Sequence, residues 1–270
     1  MCGDKMKYKD YEQQLMTALT VYKIPKSNLD VLQGSFLTTL GLLTGVMLVS
    51  YLFGLIPVEE LGGLLTMTID LILFLLGIFF LVPFSIKVIR LSLVLPDNSG
   101  FIDSIGSATG LMVLRFLGLL VMFSIIALLP YFMAGLLEES GSNSNILVTF
   151  KYVLFIAGMV AILFLVARVI GVIIATVAGR QVSFAEMFRK SQGHVLSILM
   201  IMFIALVPLE VIAMFIIYSL SGLLKLSSSY GVELFVCLVE SVVRSSIFLL
   251  QIYMLWTALT QYMKTNKLLA

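Results

Sequence analysis

The chain has 270 residues, 60% hydrophobic and 12% charged, with a mean hydropathy of +1.11 and a formal net charge of +2. Soluble domains carry about 45–50% apolar and about 25% charged residues, so the scarcity of charge marks a polytopic membrane protein and excludes a separate soluble catalytic domain. The basic residues flank apolar runs instead of forming a patch, which argues against a nucleic-acid partner.

The chain begins "MCGDKMKYKDYEQQL". A signal peptide needs an apolar stretch soon after its positive charges, but Asp10, Glu12, Gln13 and Gln14 follow the lysines here. No cleaved signal is expected, and the first span should act as the targeting signal. Tyr11, Leu15, Ala18, Leu19 and Tyr22 recur at helical spacing against Glu12, Gln13 and Thr20. This fits a short amphipathic helix on the inner membrane surface, or a partly ordered arm. Pro25 ends it, and "SNLD" from Ser27 offers capping residues for the helix that follows. Residues 1–33 are expected to form a cytoplasmic arm.

A spanning helix needs about 20 mostly apolar residues. Six candidates follow: Gly34–Ile56, Gly62 to about Leu95, Leu111–Leu137, Ile146–Ala178, His194–Leu224 and Val232 to about Thr260. The expected fold is all-α, a six-helix transmembrane bundle over 34–262, with 263–270 as a cytoplasmic tail. The second and fourth runs are too long for one crossing, since some 33 residues make a helix of about 50 Å. Projection beyond one face is expected. With the N-terminus inside, 12 of the 17 Lys and Arg residues lie on the cytoplasmic side, whereas Glu59, Glu60, Glu138, Glu139 and Glu233 lie outside. Both termini are therefore placed in the cytoplasm, in a multi-pass inner-membrane topology.

Two segments look alike: "KVIRLSLVLPDNSGFIDSIGSATGLMVLRF" (Lys87–Phe116) and "ARVIGVIIATVAGRQVSFAEMFRKSQGHVLSIL" (Ala167–Leu199). Each runs from the end of a long helix through a polar turn and a short amphipathic stretch into a new span. Phe101 matches Phe184, Asp103 matches Glu186, Ile105 matches Phe188, and Gly110 matches Gly193. The pattern predicts two parallel repeat units, about 62–137 and 146–224, each with a short interfacial helix. Ser183 and Glu186 have capping-box spacing. Phe184 and Phe188 can dip into the membrane, while Lys87, Arg90, Arg168, Arg189 and Lys190 are candidates for contact with anionic lipid phosphates at the inner face.

"FAEMFRKSQGHVLSIL" (Phe184–Leu199), "GFIDSIGSATGLMVL" (Gly100–Leu114) and "FLLQIYMLWTALTQYMK" (Phe248–Lys264) carry a resemblance to the YciC-like family of bacterial inner-membrane proteins. The same pattern resembles the related membrane domain attached to some glycerophosphodiester phosphodiesterases. The resemblance covers most of the chain beyond Leu32. The first repeat departs from it, with Gly106 and Ala108 where the second has Arg189 and Ser191. It implies an envelope protein. It argues against phosphodiester hydrolysis, because in the fusions that chemistry belongs to a soluble domain.

Ionisable groups at membrane depth usually face the bundle interior or water. Asp70, Glu210, Glu240 and Arg244 fall at similar expected depth. Glu240 and Arg244 are spaced i, i+4, with the acid N-terminal. Gln251 lies almost three turns past Glu240, so it shares that face, bordered by Ser241 and Ser245. One reading is a buried ion pair that fixes helix packing. The other is a substrate or ion site, in which three carboxylates facing one arginine would hold a proton or a cation.

Gly41 and Gly45 form a small-xxx-small pattern that suits helix packing. Cys2 and Cys237 imply no disulfide framework, and no metal or cofactor is expected. His194 reads as a surface residue. No nucleophile and base fall at one depth, so no enzymatic activity is expected. The sequence thus points to a scaffold or subunit in envelope or lipid-related homeostasis, in contact with the bilayer and with a protein partner or second copy. A small proton- or cation-coupled transporter and a membrane subunit of an export complex are the alternatives.

Overall fold

A chain inside a bilayer must satisfy its backbone hydrogen bonds within each segment, so long uncharged runs become helices. The computed structural model describes residues 26–54, 63–93, 145–224 and 230–269, together with Arg115 and Gly118. Its helices are α1 (Lys26–Gly54), α2 (Gly63–Leu93), α3 (Asn145–Val169), α4 (Gly171–Val177), α5 (Phe184–Lys190), α6 (Val195–Leu224) and α7 (Tyr230–Thr265). No strand occurs among the described residues. Among the described residues, five segments are long and apolar enough to cross a membrane: Leu32–Phe53, Leu71–Leu93, Ile156–Val177, Val195–Leu220 and Leu234–Thr265. The protein is therefore a multi-pass, helical membrane protein. The expected arm over 1–25 and most of the expected third span and first repeat turn lie outside the described residues.

Helix α7 is the post around which the bundle is built. It packs against α6, α1, α2 and α4. Helices α1 and α2 run antiparallel, with Phe36 edge-on to Phe84 and the Lys87 ammonium donating to Ser35 Oγ at 2.8 Å. Helices α6 and α7 also run antiparallel, joined near their ends through His194 and Tyr262 and near their middles through Leu206 and Gln251. Pro83 and Pro208 lie inside continuous helices, as neighbouring segments in a membrane allow.

The core gathers at the end of the bundle that carries α5. Phe84 to Ile89 on α2, all of α4, Met187, Ile198 and Leu249 to Met263 on α7 supply most of it. Towards the other end, large apolar side chains point outward, including Leu71 and Ile72 on α2, Phe215 on α6 and Phe235 on α7. Such surface suits contact with lipid tails.

The fourth expected span is not one long projecting helix. The helix is interrupted at Ile170, whose backbone stays helical at φ −56° and ψ −29°, and every residue of α4 beyond it is buried. Packing at this junction is close: a Cβ on Gly171 would lie 2.6 Å from Met187 Sδ and 3.0 Å from Met263 Cε. The bare glycine lets Met187, fully buried on α5, seat against the break. Arg168 secures the same junction. It donates to the Phe188 carbonyl at 2.7 Å, with its guanidinium 4.2 Å from the Phe188 ring centre and 5.2 Å from that of Phe164.

Two turns of related geometry close this end. After α4, Gly179 takes a φ of 76°, its N–H bonds Thr176 O, and Arg180 N–H bonds Ala175 O. That is a Schellman stop. After α7, Lys267 takes a φ of 55°, with Lys267 N–H on Lys264 O and Leu268 N–H on Met263 O. Leu268 and Leu269 are buried, and the Arg180 guanidinium donates to the Leu269 carbonyl. The segment expected as a tail is thus folded back against the bundle.

Candidate functional site

The polar residues of α7 arise from one stripe on an otherwise apolar helix. Glu240 and Arg244 form an ion pair. Arg244 Nη2 lies 2.8 Å and Nε 2.9 Å from Glu240 Oε1. Both side chains are partly exposed, Arg244 more than Glu240. The pair is satisfied on one helix, one turn apart.

Gln251 does not join that pair. Its side chain is buried, and its Nε2 donates across to α6, to Leu206 O at 2.9 Å and to Glu210 Oε2 at 3.1 Å. Ser245, also buried, donates to Met47 Sδ on α1 at 3.4 Å. These contacts bring three helices to one place.

A cavity of about 160 Å³ lies there, lined by Met47 from α1, by Glu210, Ala213 and Ile217 from α6, and by Arg244, Ile247, Phe248 and Gln251 from α7. Glu210, Arg244 and Gln251 therefore share one cavity, and Glu240 reaches it through Arg244. Asp70 sits on α2, seven positions in from Gly63, and its side chain lies outside the described residues. Among the described residues no group of His, Cys, Asp and Glu could hold a metal ion. Cys237 is a buried cysteine on α7.

The basic residues expected at the inner face lie at the end of the bundle that carries α5. Arg90 and Arg168 stand in the last turns of α2 and α3, and Arg189 and Lys190 in that of α5, where cations favour the helix dipole. Lys87 turns to α1 and Arg168 to the α5 junction, as described above. Lys190 pairs with Glu186 at 3.0 Å. Ser183 Oγ accepts from Glu186 N–H at 3.1 Å, and the Glu186 carboxylate accepts from the Ser183 backbone, which completes a capping box. Lys190, by hydrogen bond and by charge, holds the Glu186 carboxyl below its ordinary range.

Three contacts had no signal in the sequence. His194 is half-buried, with Nδ1 2.8 Å from the Tyr262 hydroxyl, where a surface position was expected. Tyr262 also bonds Ser197. Arg115 donates to Thr176 Oγ1 and reaches Val172 O at 3.5 Å, which ties it to α4. Met47 enters the cavity from α1, a helix with no charge near that level. No protein-family model matches the chain, and no curated protein or solved structure proves similar to it.

Proposed function

We propose that the chain is a non-enzymatic carrier of the bacterial cytoplasmic membrane, coupled to a proton or a cation, and that it works at the cavity between α1, α6 and α7. One observation carries the reading. Arg244 is matched by Glu240, whereas the partner of the Glu210 carboxylate among the described residues is the neutral amide of Gln251. An acid left over in a cavity at membrane depth is what a reversible cation or proton site requires. The cavity opens to water in at least one state of the transport cycle. The α5 end faces the cytoplasm, in keeping with its concentration of basic residues, and the exposed Arg189 there meets anionic headgroups.

The test is charge movement in proteoliposomes after a jump in pH or cation concentration. The reading predicts a current that is lost in Glu210→Gln while helix content is unchanged. An equal current in Glu210→Gln, or none in the wild type, overturns it.

A second reading keeps the chain as a scaffold or subunit in envelope or lipid-related homeostasis, as the family resemblance implies, or as a subunit of an export complex. It is favoured by the Gln251 bond to Leu206 O, which ties α6 to α7 without any ligand. It predicts stable co-purification with a partner and no Glu210-dependent current.

A further inference from the structure

We infer that the α1–α6–α7 cavity takes a small organic ammonium, with its nitrogen at the Glu210 carboxylate and its carbon skeleton against Phe248 and Ile217. The inference rests on the reading of this cavity as the working site, and names the class of ligand it holds. With its ionisable groups charged, the cluster of Glu210, Glu240 and Arg244 carries one negative charge in excess. Both of the closest Arg244 contacts go to Glu240, at 2.8 and 2.9 Å, so the excess resides on Glu210. A single positive charge balances it, as suits a carboxylate at membrane depth.

The lining decides which cation. Hard metal ions want several oxygen ligands, six to eight for calcium. Among the described lining residues, side-chain oxygen comes from the Glu210 carboxylate and the Gln251 amide, while Met47, Ala213, Ile217, Ile247 and Phe248 bring side chains of carbon and sulfur. An alkyl or aryl ammonium uses both kinds of wall. Its N–H groups meet the carboxylate, the Phe248 ring offers a cation–π face, and the aliphatic side chains cover the rest.

Size agrees. Cavities of about 150 Å³ hold a benzene-sized guest, and this one is about 160 Å³, so a ligand of roughly six heavy atoms fits. Gln251 fixes the carboxylate from the α7 side and leaves the cavity side of Glu210 for the ligand.

The experiment is equilibrium binding of n-butylammonium and cyclopentylammonium to the full chain in lipid nanodiscs, with sodium chloride as competitor. Saturable binding is expected, weakened about ten- to hundredfold in Glu210→Gln, as for loss of a charge-assisted hydrogen bond. Ala213→Leu fills the cavity and leaves every charge in place, so it should abolish binding even if Glu210→Gln proves poorly folded. Phe248→Leu should weaken binding several-fold. No saturable binding in the wild type, full binding in Ala213→Leu, or displacement by sodium at concentrations equal to the amine overturns the assignment. A Glu210-dependent current without amine binding overturns this inference and leaves the carrier reading standing. Amine binding without any current supports the inference and overturns the carrier.

Discussion

Gln251 spans the gap between α7 and α6 with a single nitrogen, donating to the Glu210 carboxylate at 3.1 Å and to the Leu206 carbonyl at 2.9 Å. The bond to Leu206 is structural, and the bond to Glu210 orients the residue with the surplus charge. Gln251→Leu should therefore lower stability by about 1 kcal/mol, the scale of interhelical hydrogen bonds in membranes. Unfolding in mixed micelles measures it. Gln251→Glu should cost more at neutral pH than under acid, because it sets two carboxylates against each other.

Arg244 and Glu240 form a pair whose loss is asymmetric. Removing Arg244 alone leaves a carboxylate unpaired at membrane depth, whereas replacing both by apolar residues leaves nothing to solvate. Arg244→Met should be less stable than the double variant Glu240→Leu with Arg244→Met. A double-mutant cycle in micelles tests this. If the single variant is the more stable, Glu240 does not depend on Arg244 for its charge.

The close seating of Met187 on the α3–α4 junction depends on the bare Cα of Gly171. Gly171→Ala should lower stability by about 1 kcal/mol, since the end of Met187 can partly yield, and Gly171→Leu by more. Met187→Ala should recover much of the loss in the Gly171→Ala background. Without that recovery, the contact between α5 and the break is not what Gly171 serves.

Both left-handed caps offer a paired test. Gly179→Ala should destabilise by about 1 kcal/mol, because a side chain there enters a conformation that suits glycine. Lys267→Gly should shift stability the opposite way by a similar amount. Thermal unfolding of the two variants in one detergent suffices.

Acid should loosen α5. The Glu186 carboxyl is held below its ordinary range by Lys190, so its contribution is complete above the unfolded-state pKa and disappears as pH falls through the folded value. The protection factors of the Glu186 to Lys190 amides, which remove the intrinsic slowing of exchange by acid, should fall on acidification in the wild type but not in Glu186→Gln. A wild-type profile that does not change with pH would show that the capping box holds without the charge.

What the sequence revealed was local. Glu240 and Arg244 are neighbours because a helix repeats every 3.6 residues, and Ser183 caps α5 because the box spans only three positions. Matching by depth placed Glu210 and Arg244 at one level, which is where the cavity lies. Gln251 shows where such reasoning stops. It lies on the Glu240 face by period, yet bonds to α6, since rotation of a helix against its neighbours is set by packing. The same holds for Met47, for Met187 against Gly171 and for His194 with Tyr262. Each joins segments far apart in the chain, with no charge pattern to announce the meeting.

The central claim is that the cavity beside Glu210 is reached by water. Ile217→Cys, in a Cys2→Ser and Cys237→Ser background, places a thiol on its wall. Exposed in nanodiscs to a charged, membrane-impermeant thiol reagent, that thiol should react, and n-butylammonium should slow the reaction. A thiol that stays unmodified by the charged reagent, yet reacts with a membrane-permeant one, would mean that the cavity is closed to water and that the polar cluster is a packing device.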